Sequence, residues 1–380
     1  MKKLSIIHLC NSKIGKIGNI GLRTAKIIAL LNSNNINNFS VSRNSIFKSK
    51  NYFTYGVFSQ IPSVLNYIRT KFFKNFDHKY YDLLIFKIFI NLYLKKIKIN
   101  SNSIIHVWDM IPEVLLKLKK KGSKIVLDVP IAPFRYSQTI SDELYPKYND
   151  EQSNLIISAE LKSFNLADII LAPSIFVKNE IMKYNILSDK IKIIEFGAIV
   201  DDFDKSFIKK DSLNFCFAGL INNRKGIKYL LKAWSDPIFK NDKLHLCGKV
   251  SNEIKDLLLE HNRYDNIILP GFIDTSEYFE KCDIYIFPSL LEGSSKSIYE
   301  AMNRSLPVIC TYESGSIVTN NIDGFIVEKQ NSDKLKEKMI YFKENPSKIK
   351  IMGVNAKKNI KKYSWNRYSE NILKVYNSLN

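Results

Sequence analysis

The chain has 380 residues, of which 45% are hydrophobic and 25% charged, and it carries a formal net charge of +20. Its length exceeds what one hydrophobic core sustains, so two domains of roughly 150–200 residues each are expected, and the composition excludes the low-complexity, collagen-like and disordered classes. Residues 1–190 hold 28 Lys+Arg against 13 Asp+Glu and residues 191–380 hold 29 against 24, so the first half suits an anionic partner such as a phospholipid surface, a lipid diphosphate or nucleic acid, with a general lysine-rich bias as the plainer reading.

The N-terminus, MKKLSIIHLC, superficially resembles a secretory signal. Its apolar run is short and contains His8, so it reads as a first buried strand that leads into a loop with Gly15, Gly18 and Gly21, followed by a helix from Leu22 to Leu31. The segment Ile61 to Ile99 is dense in Phe, Tyr, Ile and Lys. Within it Asp82, Lys87, Asn91, Lys95 and Lys98 share one helical face, which predicts a helix covering a sheet or a basic, aromatic helix resting on a membrane. No stretch reaches the ~18 uninterrupted apolar residues of a spanning helix.

Short β-prone runs then recur between helical patterns, which predicts βα units and parallel sheets. In the first half they are 4–9, 103–108, 124–129, 168–173 and 190–196; in the second, 214–220, 243–248, 266–271, 283–289, 307–311 and 324–328. The changeover Phe196 to Asp211 lacks apolar periodicity and reads as a linker. Met352 to Asn380 has helical periodicity and reads as a closing helix. Cys10, Cys216, Cys247, Cys282 and Cys310 form no CxxC pattern, so reduced, buried thiols and a cytoplasmic setting are expected.

The densest chemical signal runs from Phe287 to Thr311, FPSLLEGSSKSIYEAMNRSLPVICT. A buried strand ends at Pro288 and Ser289, a polar turn spans Glu292 to Ser295, and a helix follows from about Lys296 to Asn303. Free N–H groups at such a helix start, together with its dipole, suit phosphate oxygens. The C-terminal end of a parallel strand is also where open α/β sheets take ligands. Glu292 and Glu300 would repel a phosphate unless they addressed hydroxyls. Two diol readers flanking a phosphate cradle describe a nucleotide sugar.

Glu292, GSSKSIY and Glu300-Ala301-Met302, followed by LPVICT and NNIDGFIV, resemble the E-x7-E signature of the retaining glycosyltransferases of family 4. FAGLINNRKGIKYLLKAW (217–234), LADIILAPSIFVKNEIMKY, FGAIVDDF and KKYSWNRYSENILKVY extend the resemblance over nearly the whole chain. It implies the GT-B fold: α/β, with two Rossmann-like domains facing across a cleft and a C-terminal helix crossing back to the first. The implied divisions are 1–197 for the acceptor, 198–362 for the donor and 363–380 for the closing helix.

Carried over to this sequence, the resemblance makes Lys225 the diphosphate contact, Glu300 the ribose contact and Glu292 the sugar-hydroxyl contact. Gly293, Ser294, Ser295, Lys296 and Ser297 form the donor turn, and Gly15 and Gly18 the glycine loop. Two positions depart from the family. Leu220 stands where many members have Arg, with Arg224 as the candidate replacement, and Asp128 stands where many have a His beside the sugar, while His106 reads as structural or acceptor-facing. Asp202-Phe203-Asp204 has a DxD pattern without a companion cluster, so no metal and no cofactor are expected. The implied activity is retaining transfer from a UDP or GDP sugar to a saccharide or lipid-linked acceptor in cell-surface polysaccharide or lipopolysaccharide synthesis, at the inner face of the plasma membrane, with no nucleic acid partner. A nucleotide-sugar epimerase of the same fold and a basic nucleic-acid- or membrane-binding protein without catalysis are the alternatives.

Overall fold

The computed structural model describes residues 4–15, 19–56, 58, 78–140, 150–203, 205–207 and 211–380. The first sheet has the order β3-β2-β1-β4-β5-β6-β7, with every pair parallel. Its strands are β1 (Ser5–Ile14), β2 (Asn37–Ser45), β3 (Tyr52–Thr54), β4 (Ser103–Val107), β5 (Lys124–Asp128), β6 (Ile169–Ala172) and β7 (Ile191–Ile193). The second sheet has the order β10-β9-β8-β11-β12-β13, also all parallel. It comprises β8 (Asn214–Ala218), β9 (Lys243–Cys247), β10 (Ile267–Gly271), β11 (Ile284–Phe287), β12 (Val308–Thr311) and β13 (Gly324–Val327). Each is a doubly wound sheet whose strand order reverses beside its first strand, which opens a crevice at the strand C-termini.

All eleven runs expected from the sequence form strands. β2 and β3 were not expected, because Asn37–Ser45 is NNFSVSRNS and offers little apolar alternation. They form the edge of the sheet, where Val41 is fully buried against β1 between the equally buried Ser40 and Ser42.

Alternation along the first sheet builds two cores, since successive side chains point to opposite faces. Ile7, Leu9, Ile105 and Val107 join one cluster, and Ile6, Cys10, Ile104 and Trp108 join the other. The second cluster is completed from the far end of the chain. Tyr368, Ile372, Val375 and Tyr376, spaced at i, i+4, i+7 and i+8 on the helix Trp365–Asn377, pack into it. The closing segment is not one continuous helix: Pro346–Ile360 ends, and Ser364 starts the last helix by accepting a hydrogen bond from the Arg367 N–H at 3.2 Å. At that break the chain crosses itself, where the Ala198 N–H donates to the Tyr363 carbonyl at 2.7 Å.

The helix His78–Leu94 buries Phe86, Ile90 and Leu94. Its outer face is mixed. Leu84, Ile88 and Leu92 are 41%, 52% and 50% exposed, interleaved with Lys87, Asn91 and Lys95 of the expected polar face. Residues 61–77, the first part of that segment, and the side chain of Asp82 lie outside the described residues. No described helix is long and apolar enough to cross a membrane. The five cysteines are free and buried.

Candidate active site

A cleft of about 710 Å³ opens at the C-terminal ends of the second sheet, within the size range of small-molecule sites. Ala218, Gly219 and Leu220 after β8, and Cys247, Gly248 and Lys249 after β9, form its floor. Two backbones meet there: a Cβ on Gly248, whose φ is +148°, would lie 1.9 Å from the Gly219 carbonyl oxygen. Only glycine permits that approach. Phe272 and Thr275 after β10, and Glu292 and Ser294 to Ser297 with Glu300 after β11, make one wall. Asn19 and Leu22 at the start of the helix Ile20–Ser33 of the first domain, Phe196 and Gly197 from the crossing and Trp365 from the last helix close the other side.

Lys225 ends a short 3-10 turn, Asn223–Lys225, held by Asn222, whose side chain accepts from the Lys225 N–H at 3.1 Å. Its ammonium lies 2.5 Å from Glu292 Oε1 and 4.8 Å from the centre of the Phe287 ring. Burial lowers its pKa, with the Glu292 carboxylate opposing the shift. The same Glu292 oxygen accepts from Arg224 at 3.1 Å and from the Ser289 hydroxyl at 3.0 Å. Glu292 is thus clamped by two cations on the neighbouring loop. Glu300 stands on the helix Lys296–Asn303, where Thr275 donates to it at 2.9 Å and Lys296 pairs with it at 2.9 Å.

The helix start faces the cleft through Ser295, Lys296 and Ser297, and Ser295 makes no side-chain cap bond. The Ser297 hydroxyl accepts from Tyr285 at 2.7 Å, and Ser294 is bonded to Tyr299 at 2.9 Å, so both are fixed in orientation. The structure therefore brings together Lys225, Glu292, Ser294, Ser295, Lys296, Ser297 and Glu300.

Other expected site residues stand elsewhere. Asp128, expected beside the sugar, is fully buried beneath the last helix and does not line the cleft. It pairs with Arg23 at 2.5 Å and has His106 Nε2 3.7 Å away. The last helix returns over the end of β5 and covers it, with Arg23 bridging Asp128 to the Tyr368 hydroxyl. Arg224 is turned toward the Leu291 carbonyl (2.8 Å) and Glu292, away from the cleft surface that Leu220 occupies. Gly293 does not line the cleft: a Cβ there would lie 1.8 Å from the Pro130 carbonyl oxygen, so its glycine serves the contact with the first domain. Gly15 is buried and bonded to the Gly21 carbonyl at 3.3 Å, and Asn19 and Leu22 of that region reach the cleft instead. Gly18 lies outside the described residues, as does Asp204. His106 is structural, with Nδ1 2.5 Å from the Tyr376 hydroxyl.

Sequence reading missed Phe272, Thr275, Lys249 and Trp365. Phe272 is 98% exposed at the cleft, and an aromatic residue directly after the glycine that ends a strand-like run was the available signal.

Residues 199–359 match the model of the glycosyl transferases group 1 family. An uncharacterized glycosyltransferase of Methanocaldococcus jannaschii, MJ1178, is 30% identical over 220 residues, 56% of this chain and 60% of its own length. A second from that organism, MJ1607, is 23% identical with 64% of its length covered, so the alignments span under two thirds of both relatives. The capsular polysaccharide biosynthesis glycosyltransferase CapM of Staphylococcus aureus is 26% identical, over 59% of this chain and 65% of its own. Among solved structures, sucrose-phosphate synthase from Thermosynechococcus elongatus superposes with a TM-score of 0.71 at 16% identity, covering 99% of both chains. WaaG, a glycosyltransferase involved in lipopolysaccharide biosynthesis, gives 0.70 at 13%, covering 98% of this chain and 99% of its own. With its two parallel-sheet domains, the chain has the GT-B fold.

Proposed function

We propose that this chain is a glycosyltransferase that moves a sugar from a nucleoside-diphosphate sugar to a saccharide or lipid-linked acceptor, with retention and without a metal ion, in cell-surface polysaccharide synthesis. The observation that carries the reading is the juxtaposition of the buried Lys225 ammonium, the Glu292 and Glu300 carboxylates and the start of the helix Lys296–Asn303 on one cleft. The family match over residues 199–359 supports it, and HepE, a neighbour of the same fold, was crystallised with UDP.

In this reading the second domain, 198–362, binds the donor. The diphosphate lies against the N–H groups of Ser295 to Ser297 and the ammonium of Lys225, where positive potential offsets the charge that develops on the departing group. Glu300 accepts from ribose hydroxyls, Phe272 stacks on the base and Glu292 accepts from a sugar hydroxyl. Donor entry displaces part of the Lys225–Glu292 contact, freeing the ammonium for phosphate oxygens. The leaving diphosphate takes the acceptor's proton, so no protein nucleophile is required. The first domain, 1–197, with the helix of 363–380 docked on it, presents the acceptor across the cleft, and closure excludes water that would hydrolyse the donor.

The protein acts at the cytoplasmic face of an anionic membrane, with the exposed Leu84, Ile88 and Leu92 and the neighbouring lysines of the helix His78–Leu94 in contact with it. A thermal-shift panel of UDP, GDP and ADP sugars and the free diphosphates, run with EDTA, tests the donor assignment. A ligand at ~100 times its dissociation constant stabilises by about 2.7 kcal/mol. The matching nucleotide raises the melting temperature in EDTA. A shift that appears only on adding Mg²⁺ or Mn²⁺ removes metal independence, and no shift with any nucleotide removes the reading.

A further inference from the structure

The turn that carries Glu292 belongs by sequence to the second domain but is built into the first. Leu290 and Leu291, 0% and 2% exposed, pack in the hydrophobic cluster of the first sheet with Tyr136, Phe176 and Val177, not in the core of their own domain. The first domain also holds the turn's backbone. Tyr136, on the helix Phe134–Gln138 after β5, donates its hydroxyl proton to the Leu290 carbonyl at 3.0 Å. Ser174, which precedes the helix Ile175–Met182 after β6, donates to the Gly293 carbonyl at 2.6 Å. Gly293 itself lies against Pro130 and Ile131.

These contacts bracket Glu292 on both sides. A second path closes the loop: Lys329 donates to the Tyr136 hydroxyl at 2.8 Å and pairs with Glu313 at 3.3 Å, and the Glu313 carbonyl accepts the Glu292 N–H at 3.0 Å. On its other flank the turn is tied to the lysine loop, because the Leu290 N–H donates to the Arg224 carbonyl at 2.9 Å. The register of Glu292 against Lys225 is therefore set jointly by both domains.

From this we infer that Tyr136 and Ser174 are positioning residues, through which docking of the first domain places Glu292 for transfer. The inference rests on the transfer reading above. It also makes this edge of the cleft a pivot, since two leucines buried across the interface resist separation there while Asn19, Leu22 and Trp365 line the side away from it. Packing neighbours in a dense interior have few alternative arrangements, so a loosened turn loses the one geometry in which Glu292 meets both cations.

The test uses Tyr136→Phe, Ser174→Ala and the double variant of the full chain. Asp236→Ala, which removes the side-chain cap of the 3-10 turn Pro237–Phe239 and an ion pair with Lys336, controls for ordinary destabilisation, since Ser174 also caps its own helix. Two readouts are taken: amide hydrogen exchange over 289–295, and kcat, KM and nucleoside-diphosphate affinity. The double variant is expected to exchange about tenfold faster at Leu290 and Glu292. Its kcat is expected to fall about tenfold with diphosphate affinity within about twofold of the parent, the pattern of a group acting in the transition state. Exchange over 289–295 no faster than in Asp236→Ala, or an unchanged kcat beside an accelerated turn, overturns the inference. A parent chain that transfers from no nucleoside-diphosphate sugar overturns the transfer reading instead, and the exchange arm still decides whether the first domain holds the turn.

Discussion

Lys225 and Glu300 occupy the same cleft but answer to different partners, and that difference predicts different kinetic losses. Glu300 is held by Thr275 and Lys296 with its carboxylate on the cleft surface. Exchanging its charged hydrogen bonds for neutral ones in Glu300→Gln costs about 1–1.5 kcal/mol of binding, so nucleoside-diphosphate affinity should fall about five- to tenfold by calorimetry. Lys225→Ala should mainly lower kcat, because the ammonium counts most when the diphosphate departs. Unchanged affinity and rate in both variants would remove the site. Asp128 illustrates the opposite case, a carboxylate whose role is structural. The Arg23 guanidinium opposes the effect of burial and holds its pKa below the ordinary value, and Arg23 also donates to the Tyr368 hydroxyl at 3.1 Å. Removing one member of a buried pair strands the other, at a cost of about 3–5 kcal/mol. Arg23→Met should lower the urea midpoint by a corresponding amount while Asp128→Asn with Arg23→Met recovers part of it; a neutral Arg23→Met would show that the pair contributes nothing.

At the scale of elements, the helix His78–Leu94 carries exposed apolar residues among polar ones on its outer face, although only the face with Phe86, Ile90 and Leu94 meets the core. A surface helix ordinarily turns polar residues outward. Leu84, Ile88 and Leu92 do not obey that rule, and Lys95, Lys96 and Lys98 follow them at the helix end, all exposed. Lysines near an anionic surface add about 1 kcal/mol each. Co-sedimentation with anionic liposomes should therefore be strong at low salt and weaken as the Debye length shortens, and Leu84→Ser with Ile88→Ser should reduce it without affecting nucleotide binding. Equal binding to neutral vesicles, or none to either, would mean that the lysines reflect composition and that the acceptor arrives from solution.

Buried imidazoles in both domains set the response of the whole molecule to acid. His8 and His106 lie beneath the last helix with Asp128, Arg23, Tyr368 and Tyr376, and burial lowers the pKa of both imidazoles below the ordinary 6.5. In the second sheet His245 is lowered to about 4, by burial first and then by Lys281 and Lys243. A depressed folded-state pKa means that the unfolded chain binds the proton first. The stability from keeping these rings neutral is fully present above about pH 6.5 and is lost progressively as pH falls from there toward about 4. Urea midpoints should be flat above pH 6.5 and decline below it. A midpoint that rose between pH 6.5 and 5 would contradict this burial.

What the sequence determined by itself was local. Eleven strands were legible because each is a short, largely apolar run between turn residues, and the paired glutamates around a small-residue turn were legible because their spacing is a property of one turn and one helix. β2 was not, since NNFSVSRNS owes its strand to pairing with β1 and not to its own pattern. The tertiary structure alone decided which side chains face the cleft. Asp128 closes a buried ion pair because the last helix returns over β5, and Gly293 serves the approach of Pro130 because the Glu292 turn is seated in the other domain. Contacts between residues more than a hundred positions apart depend on how two sheets dock, and no window of neighbouring residues records that.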